Sequence, residues 1–261
     1  MAVDSERLHK VLARLGWGSR RELERLIAER RIRVNGSIAE IGAQVRDGDR
    51  VQLDKKRPVR ISLAHERPRV LAYHKPVGEV CSRDDPEGRP DVFRKLPPIK
   101  GGRWINIGRL DINTSGLLLF TNHGELAHRL MHPRFQIDRE YAARIFGEVP
   151  PAMLERLRDG VEIEGEIYRF NDIVMRDGEA ANRWYYCLVQ SGRNREVRKL
   201  WESQGVQVNR LMRVRYGNIM LPTDLRPQRQ VELGQPLVSE LCRLVGLNPN
   251  GKRRGGERTH A

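Results

Sequence analysis

Apolar positions in the first 55 residues follow two helical periods and then a series of short strands. Over 6–15, Leu8, Val11, Leu12 and Leu15 recur at helical spacing, and Gly16 and Gly18 close the segment. Ser19 followed by Glu22 has the form of a capping box, so a second helix is predicted to open there. Its inward positions are Leu23, Leu26 and Ile27, and Arg20, Arg21, Arg25, Arg30 and Arg31 fill others. Asn35-Gly36 between apolar runs at 32–34 and 38–41 predicts a tight hairpin, and 51–53 a further strand. Residues 55–68 are charged and punctuated by proline, and read as a linker. Strand-like runs then recur at 69–74, 104–107, 117–121, 141–146 and 185–190, with helical stretches at 124–131, 151–159 and 195–204. Strands outnumber helices without a regular βαβ alternation. The fold class is therefore α+β: a small module at 5–54, then a mixed, mainly antiparallel-sheet domain over 69–245. Residues 246–261, rich in glycine and basic side chains, read as a disordered tail.

Charge narrows the class of partner. The 261 residues carry a formal +14, concentrated in three blocks: +5 over 1–66, +6 over 193–229 and +3 over 249–261. Such blocks favour a polyanion, because lysine and arginine gain affinity by neutralising phosphates. Cys81, Cys187 and Cys242 are few, odd in number and far apart, which argues against a disulfide framework or a structural zinc site. No apolar run is long enough to span a bilayer and no signal-peptide core opens the chain, so a cytoplasmic location without a membrane partner is expected.

Other chemistries lack their residues. There is no glycine-rich phosphate loop or dinucleotide fingerprint, so a methyltransferase or other nucleotide-cofactor enzyme has no cradle. His128 and His132 are four apart but belong to no His-Glu-x-x-His motif, and read as surface or RNA-facing side chains. Ser115 has no evident His–Asp partnership. The most informative stretch is Gly108-Arg109-Leu110-Asp111-Ile112-Asn113-Thr114-Ser115-Gly116, followed by Leu117-Leu118-Leu119-Phe120: a polar turn entering a strongly apolar strand. By residue type alone, Asp111 is a turn-former.

The pattern Gly-Arg-Leu-Asp-x-x-Thr-x-Gly-Leu-Leu-Leu resembles the signature of the RsuA/RluA-type pseudouridine synthases. Lys75-Pro76-Val77-Gly78, Asp85-Pro86-Glu87-Gly88-Arg89-Pro90, His132-Pro133, Arg139-Glu140-Tyr141 and Gly192-Arg193-Asn194-Arg195-Glu196-Val197-Arg198 resemble further motifs of that family. The wording over 192–221 is most similar to the RluB-type branch, whose substrate is large-subunit (23S) ribosomal RNA. The N-terminal order of elements resembles the αL RNA-binding module named after ribosomal protein S-four. The resemblance implies a two-domain rRNA pseudouridine synthase acting on ribosomal RNA or an assembling ribosomal particle; a monomer is the default expectation.

Pseudouridine formation breaks the uracil–ribose C–N bond, turns the base and joins its C5 to C1′. The reaction is redox-neutral and adds or removes nothing, so no cofactor or metal is expected. Bond breaking builds positive character at the anomeric carbon, where a carboxylate can stabilise charge or attack. The resemblance implies that Asp111 is this carboxylate, with attack on C1′ and deprotonation of C2′ to a glycal both open to it. It implies Arg198 as a bidentate cation beside Asp111, offsetting the cost of burying the carboxylate. It also implies Tyr141 as the ring stacked on the extruded uracil and a candidate proton acceptor. Arg109 is expected to fill the vacated stack or bind flanking phosphates. Phosphate contacts are expected from Arg7, Lys10, Arg20, Arg21, Arg25, Arg193, Arg195, Lys199, Arg210, Arg213 and Arg215. The alternative is a non-catalytic RNA-binding ribosome-assembly factor, against which the joint presence of Asp111, Tyr141 and Arg198 speaks.

Overall fold

The computed structural model describes residues 5–64, 67–99, 102–177 and 182–252. Its first part consists of β1 (Ser5–Arg7), α1 (Leu8–Arg14), α2 (Arg20–Ala28), β2 (Ile32–Val34), β3 (Ser37–Ile38), β4 (Gln44–Arg46), β5 (Arg50–Leu53) and β6 (Val59–Arg60). The predicted capping box is present: Glu22 N donates to Ser19 Oγ at 3.1 Å and Ser19 N to Glu22 Oε2 at 3.2 Å. Asn35 and Gly36 both have positive φ (49° and 89°), as a two-residue hairpin turn demands. β1 pairs with β4, and a separate antiparallel sheet runs β3-β2-β5-β6. Leu8, Val11, Leu12, Leu23, Ile27, Ile32, Val45 and Val51 form one buried cluster beneath the two helices.

The linker expectation for 55–68 needs correction at its centre. Val59 pairs with Val51, and Ile61 is buried in the module's own core, so the first module extends past residue 60. Proline and charge around Val59-Arg60-Ile61 masked a short alternating strand.

The second part contains β7 (Val70–Lys75), β8 (Ile105–Ile107), β9 (Ser115–Thr121), α3 (Gly124–Met131), a 3₁₀ turn (Pro133–Phe135), β10 (Arg139–Phe146), α4 (Pro151–Asp159), β11 (Val161–Ile163), β12 (Glu166–Tyr168), β13 (Asp172–Asp177), β14 (Asn182–Val189), α5 (Glu196–Glu202), β15 (Gln207–Tyr216), β16 (Ile219–Met220), β17 (Gln230–Glu232) and α6 (Gln235–Leu244). Seven strands follow the order β13-β14-β10-β15-β9-β7-β17, with β16 on β15 and β8 on β9. All described pairings in this sheet are antiparallel except β9 with β15, where Ser115 faces Met212 and Gly116 faces Arg213. Strands β7 and β9 are buried on both faces, which explains the unbroken run at 117–120. Leu117 and Leu119 point into the core shared with α3 and α6, whereas Leu118 and Phe120 join Tyr73, Val92 and Trp104 on the other side. A third core packs α4 and α5 on β10, β14 and β15 around Trp201 and Tyr185.

The tail expectation is also overturned where it can be seen. Leu247 is fully buried, and Asn248 exchanges backbone bonds with Gly251 and Lys252 in a closed turn, so 246–252 belong to the domain. The apolar contact of Leu247 outweighs the local glycine signal. Residues 253–261 lie outside the described part.

Candidate active site

Asp111 sits in the loop joining β8 to β9, at the edge of a cleft of about 400 Å³. The loop is clamped through its own carbonyls. Lys75 at the end of β7 is fully buried, and its Nζ donates to Asp111 O at 3.1 Å, Thr114 O at 2.9 Å and Pro76 O at 2.9 Å. Gly78 N donates to Ile112 O at 2.8 Å, and Thr114 N closes the turn on Asp111 O at 3.0 Å. Arg198 Nη2 donates to Asn113 O at 3.0 Å, and Cys81 Sγ to Leu110 O at 3.4 Å. Every carbonyl from residue 110 to 114 is thereby engaged, while the Asp111 carboxylate has no partner among the described residues and stays part-exposed in the cleft.

The strand behind the loop depends on glycine at one position. Gly116 has φ +103°, and a Cβ there would lie 2.3 Å from Arg213 O in the neighbouring parallel strand. This close approach brings β15 against the Asp111 turn. Arg213 is 2% exposed, donates from Nε to Leu117 O at 2.8 Å, and lines the cleft. Tyr141 pairs with Arg213 across β10 and β15 and lines the same cleft.

Electrostatics around the loop is dominated by cations. Burial pushes Lys75 below its ordinary value, opposed by the charges of Cys81, Glu79 and Asp111. Arg198 is likewise lowered by burial and then by Arg195, with Glu202 and Asp111 acting in the other direction. Arg139, 6% exposed, also lines the cleft and donates to Gln190 O at 2.7 Å. At the opposite wall Glu196 is 6% exposed; burial raises its carboxyl above the usual range, partly offset by the Ser191 hydroxyl donating to Oε1 at 2.6 Å.

The structure brings Asp111, Tyr141, Arg109, Arg193, Arg195 and Arg213 to one cleft. Three expectations change. Arg198 does not form a bidentate pair with Asp111: its Nη1 and Nη2 are directed to Val208 O and Asn113 O, and no ion pair joins the two among the described residues. Its position at the start of α5 lets it reach the loop backbone first. Arg213 is no surface phosphate contact, because it is buried under the loop. Arg215 is occupied by Glu140 at 2.8 Å and Asp138 at 3.3 Å. Among the remaining phosphate candidates, Lys199 pairs with Glu164 and Arg25 with Glu29. Arg21 and Arg210 are exposed away from the cleft, and Arg7, Lys10 and Arg20 line a second groove.

Lys75, Arg139 and Glu196 stand in the motifs quoted above, but the sequence assigns them no role. Lys75 had a legible signal: it follows the buried alternation Leu71, Tyr73 in a strand, where a charged residue needs internal acceptors.

A family model described as RNA pseudouridylate synthase matches residues 69–203, and one described as S4 domain matches residues 6–51. Ribosomal large subunit pseudouridine synthase B of Pseudomonas aeruginosa is 54% identical over 245 residues, covering 94% of this chain and 64% of that protein. The protein of the same name from Escherichia coli K12 is 51% identical over 247 residues, covering 94% of this chain and 85% of the relative. A solved structure described as "Crystal structure of pseudouridylate synthase" superposes with a TM-score of 0.63 at 23% identity, over 90% of this chain and 99% of that one, a likeness of fold.

Proposed function

The chain belongs to the RNA pseudouridylate synthase family, and from that premise we propose that it isomerises a specific uridine of large-subunit ribosomal RNA, with Asp111 as the reacting carboxylate. The observation that carries the assignment is the Asp111 loop. Its backbone is held at every carbonyl from 110 to 114, while its carboxylate is left unpaired in a cleft. Such a loop fixes the carboxylate relative to a bound sugar without consuming it, as proximity catalysis requires.

A uridine extruded from its stack would lie between Asp111 and Tyr141, its ring against the tyrosine face. As the N1–C1′ bond breaks, positive character at C1′ meets the carboxylate and negative charge grows on the uracil. Cleft arginines, Arg213 and Arg139 among them, favour that charge. Thr114 Oγ1 and Arg213 Nη2 are buried behind this wall with no hydrogen-bond partner among the described residues. After rotation, C5 joins C1′, its proton leaves, and N1 gains one. Arg198 and Lys75 act as positioning residues through the loop carbonyls. Apolar packing at Leu110 and Leu211 helps exclude water until the base recaptures the sugar. Exposed Arg109 at the rim suits a phosphate flanking the target, and Arg193 and Arg195 would do so by exchanging their ion pairs with Glu166 and Glu202, both at 3.4 Å.

The test is carbodiimide-labelled primer extension across both ribosomal RNAs after incubation with wild-type protein or Asp111→Asn. New stops in large-subunit RNA with wild type alone are expected. Stops with both proteins would move the essential carboxylate elsewhere, and binding without any stops would favour an assembly factor.

A further inference from the structure

A second concavity, about 550 Å³ in volume, separates the N-terminal module from the end of α3. On one side it is lined by Arg7, Lys10 and Arg20, on the other by His128, His132 and Arg134. Its lining also includes Arg129, Glu6 and Glu125, and both carboxylates are already engaged. Glu6 meets Arg14 at 2.7 Å and Lys10 at 3.4 Å, and Glu125 meets Arg129 at 2.9 Å. Arg7, Arg20 and Arg134 are exposed and have no carboxylate partner among the described residues. The groove therefore presents cations from both domains to whatever enters it.

His128 and His132 are exposed, one turn apart, with rings edge to face at 5.6 Å. His132 Nδ1 accepts the Arg134 amide at 3.3 Å. In the neutral ring, the hydrogen must then sit on Nε2, which becomes a donor for a phosphate oxygen. Between the two histidines, Met131 lines the Asp111 cleft. The last turn of α3 thus contributes His128 to the groove and Met131 to the cleft.

We propose that this groove carries the phosphate backbone of the RNA arm flanking the target uridine, with His128, His132 and Arg134 as its contacts on the synthase side. The inference rests on the RNA-modifying reading above and adds the path by which the N-terminal module and the cleft hold one RNA. Backbone contacts of this kind set register without reading sequence.

Two stem–loops test it, both carrying the uridine located by primer extension: one with a long flanking arm, one with the arm cut back. Wild type should bind the long-arm RNA more tightly. His128→Ala/His132→Ala/Arg134→Ala should lose most of that preference, roughly ten-fold, and the slope of log Kd against log salt for the long RNA should fall by about one per phosphate contact removed. Arg7→Ala/Arg20→Ala, on the facing wall, should reduce the preference in the same way and provides an independent reading should the triple variant fold poorly. The proposal is overturned if wild type shows no preference, if the preference survives in both variants, or if both RNAs weaken in parallel. Failure of wild type to convert either RNA would instead remove the functional reading, a separate outcome.

Discussion

At the scale of single residues, the site depends on groups that hold backbone in place. Gly116→Ala places a Cβ 2.3 Å from Arg213 O, a contact that neither parallel strand can relieve without moving. A loss of at least about 2 kcal/mol is expected, read as a lower denaturant midpoint at unchanged m. Lys75→Met removes the donor from three carbonyls and frees the Asp111 turn. Turnover should fall by more than roughly ten-fold with RNA affinity retained, since misplacing a reacting group acts on the rate; parallel loss of affinity and rate would count against that role. Glu196 gives a pH signature. Burial raises its carboxyl, so the folded state keeps this proton to higher pH than the unfolded chain does. Its contribution to stability is therefore greatest below the ordinary glutamate value of 4.5 and declines as pH rises through that range toward the raised value. Glu196→Gln should flatten this segment in denaturation curves taken between about pH 4 and 7; identical slopes would show that the group does not titrate there.

At the scale of elements, what was legible had a strong local period or a specific cap. The capping box at Ser19 and Glu22, the Asn35-Gly36 hairpin, and helices α3 and α4 follow their residues closely, because propensity and burial agree there. Ser19→Ala should cost the molecule about 1 kcal/mol through α2, seen as a lower Tm. Strand β15 was not anticipated, since Arg210, Arg213 and Arg215 read as a basic phosphate-binding run. Arg213 is inside because the parallel neighbour β9 offers it the Leu117 carbonyl, a partner 96 residues distant that no local pattern announces. Asp111 and Tyr141 could be picked out by motif, whereas the loop clamp could not. Lys75, Gly78, Cys81 and Arg198 converge on five consecutive carbonyls only after β7, the segment following it and α5 have packed. Helix α6 and the turn at 246–252 went unread for a similar reason: Val238, Leu241 and Leu247 are buried against strands formed much earlier in the chain.

At the scale of the whole molecule, the proposed division of chemistry and RNA holding falls on two domains whose cores share no buried residue. The N-terminal cluster from Leu8 to Ile61 is closed on itself, and the three clusters of the synthase domain draw only on residues from Val70 onward. Removing residues 1–66 should therefore leave the synthase domain folded, while deleting a net +5 and one wall of the intermodule groove. Because affinity for a polyanion follows the number of phosphates neutralised, the truncated protein should bind RNA more weakly and with a shallower salt dependence. The cleft keeps Asp111, Tyr141 and its arginines, so conversion at saturating RNA should persist. Thermal unfolding checks the first expectation; titrations at several salt concentrations, paired with primer extension, check the others. A truncated protein that modified RNA equally well at every salt concentration would remove the N-terminal module from RNA binding. One that failed to fold would mean that the synthase domain depends on its contact with the first module, where half-buried Arg103 shares a small cavity with Glu6, Arg14 and Arg20.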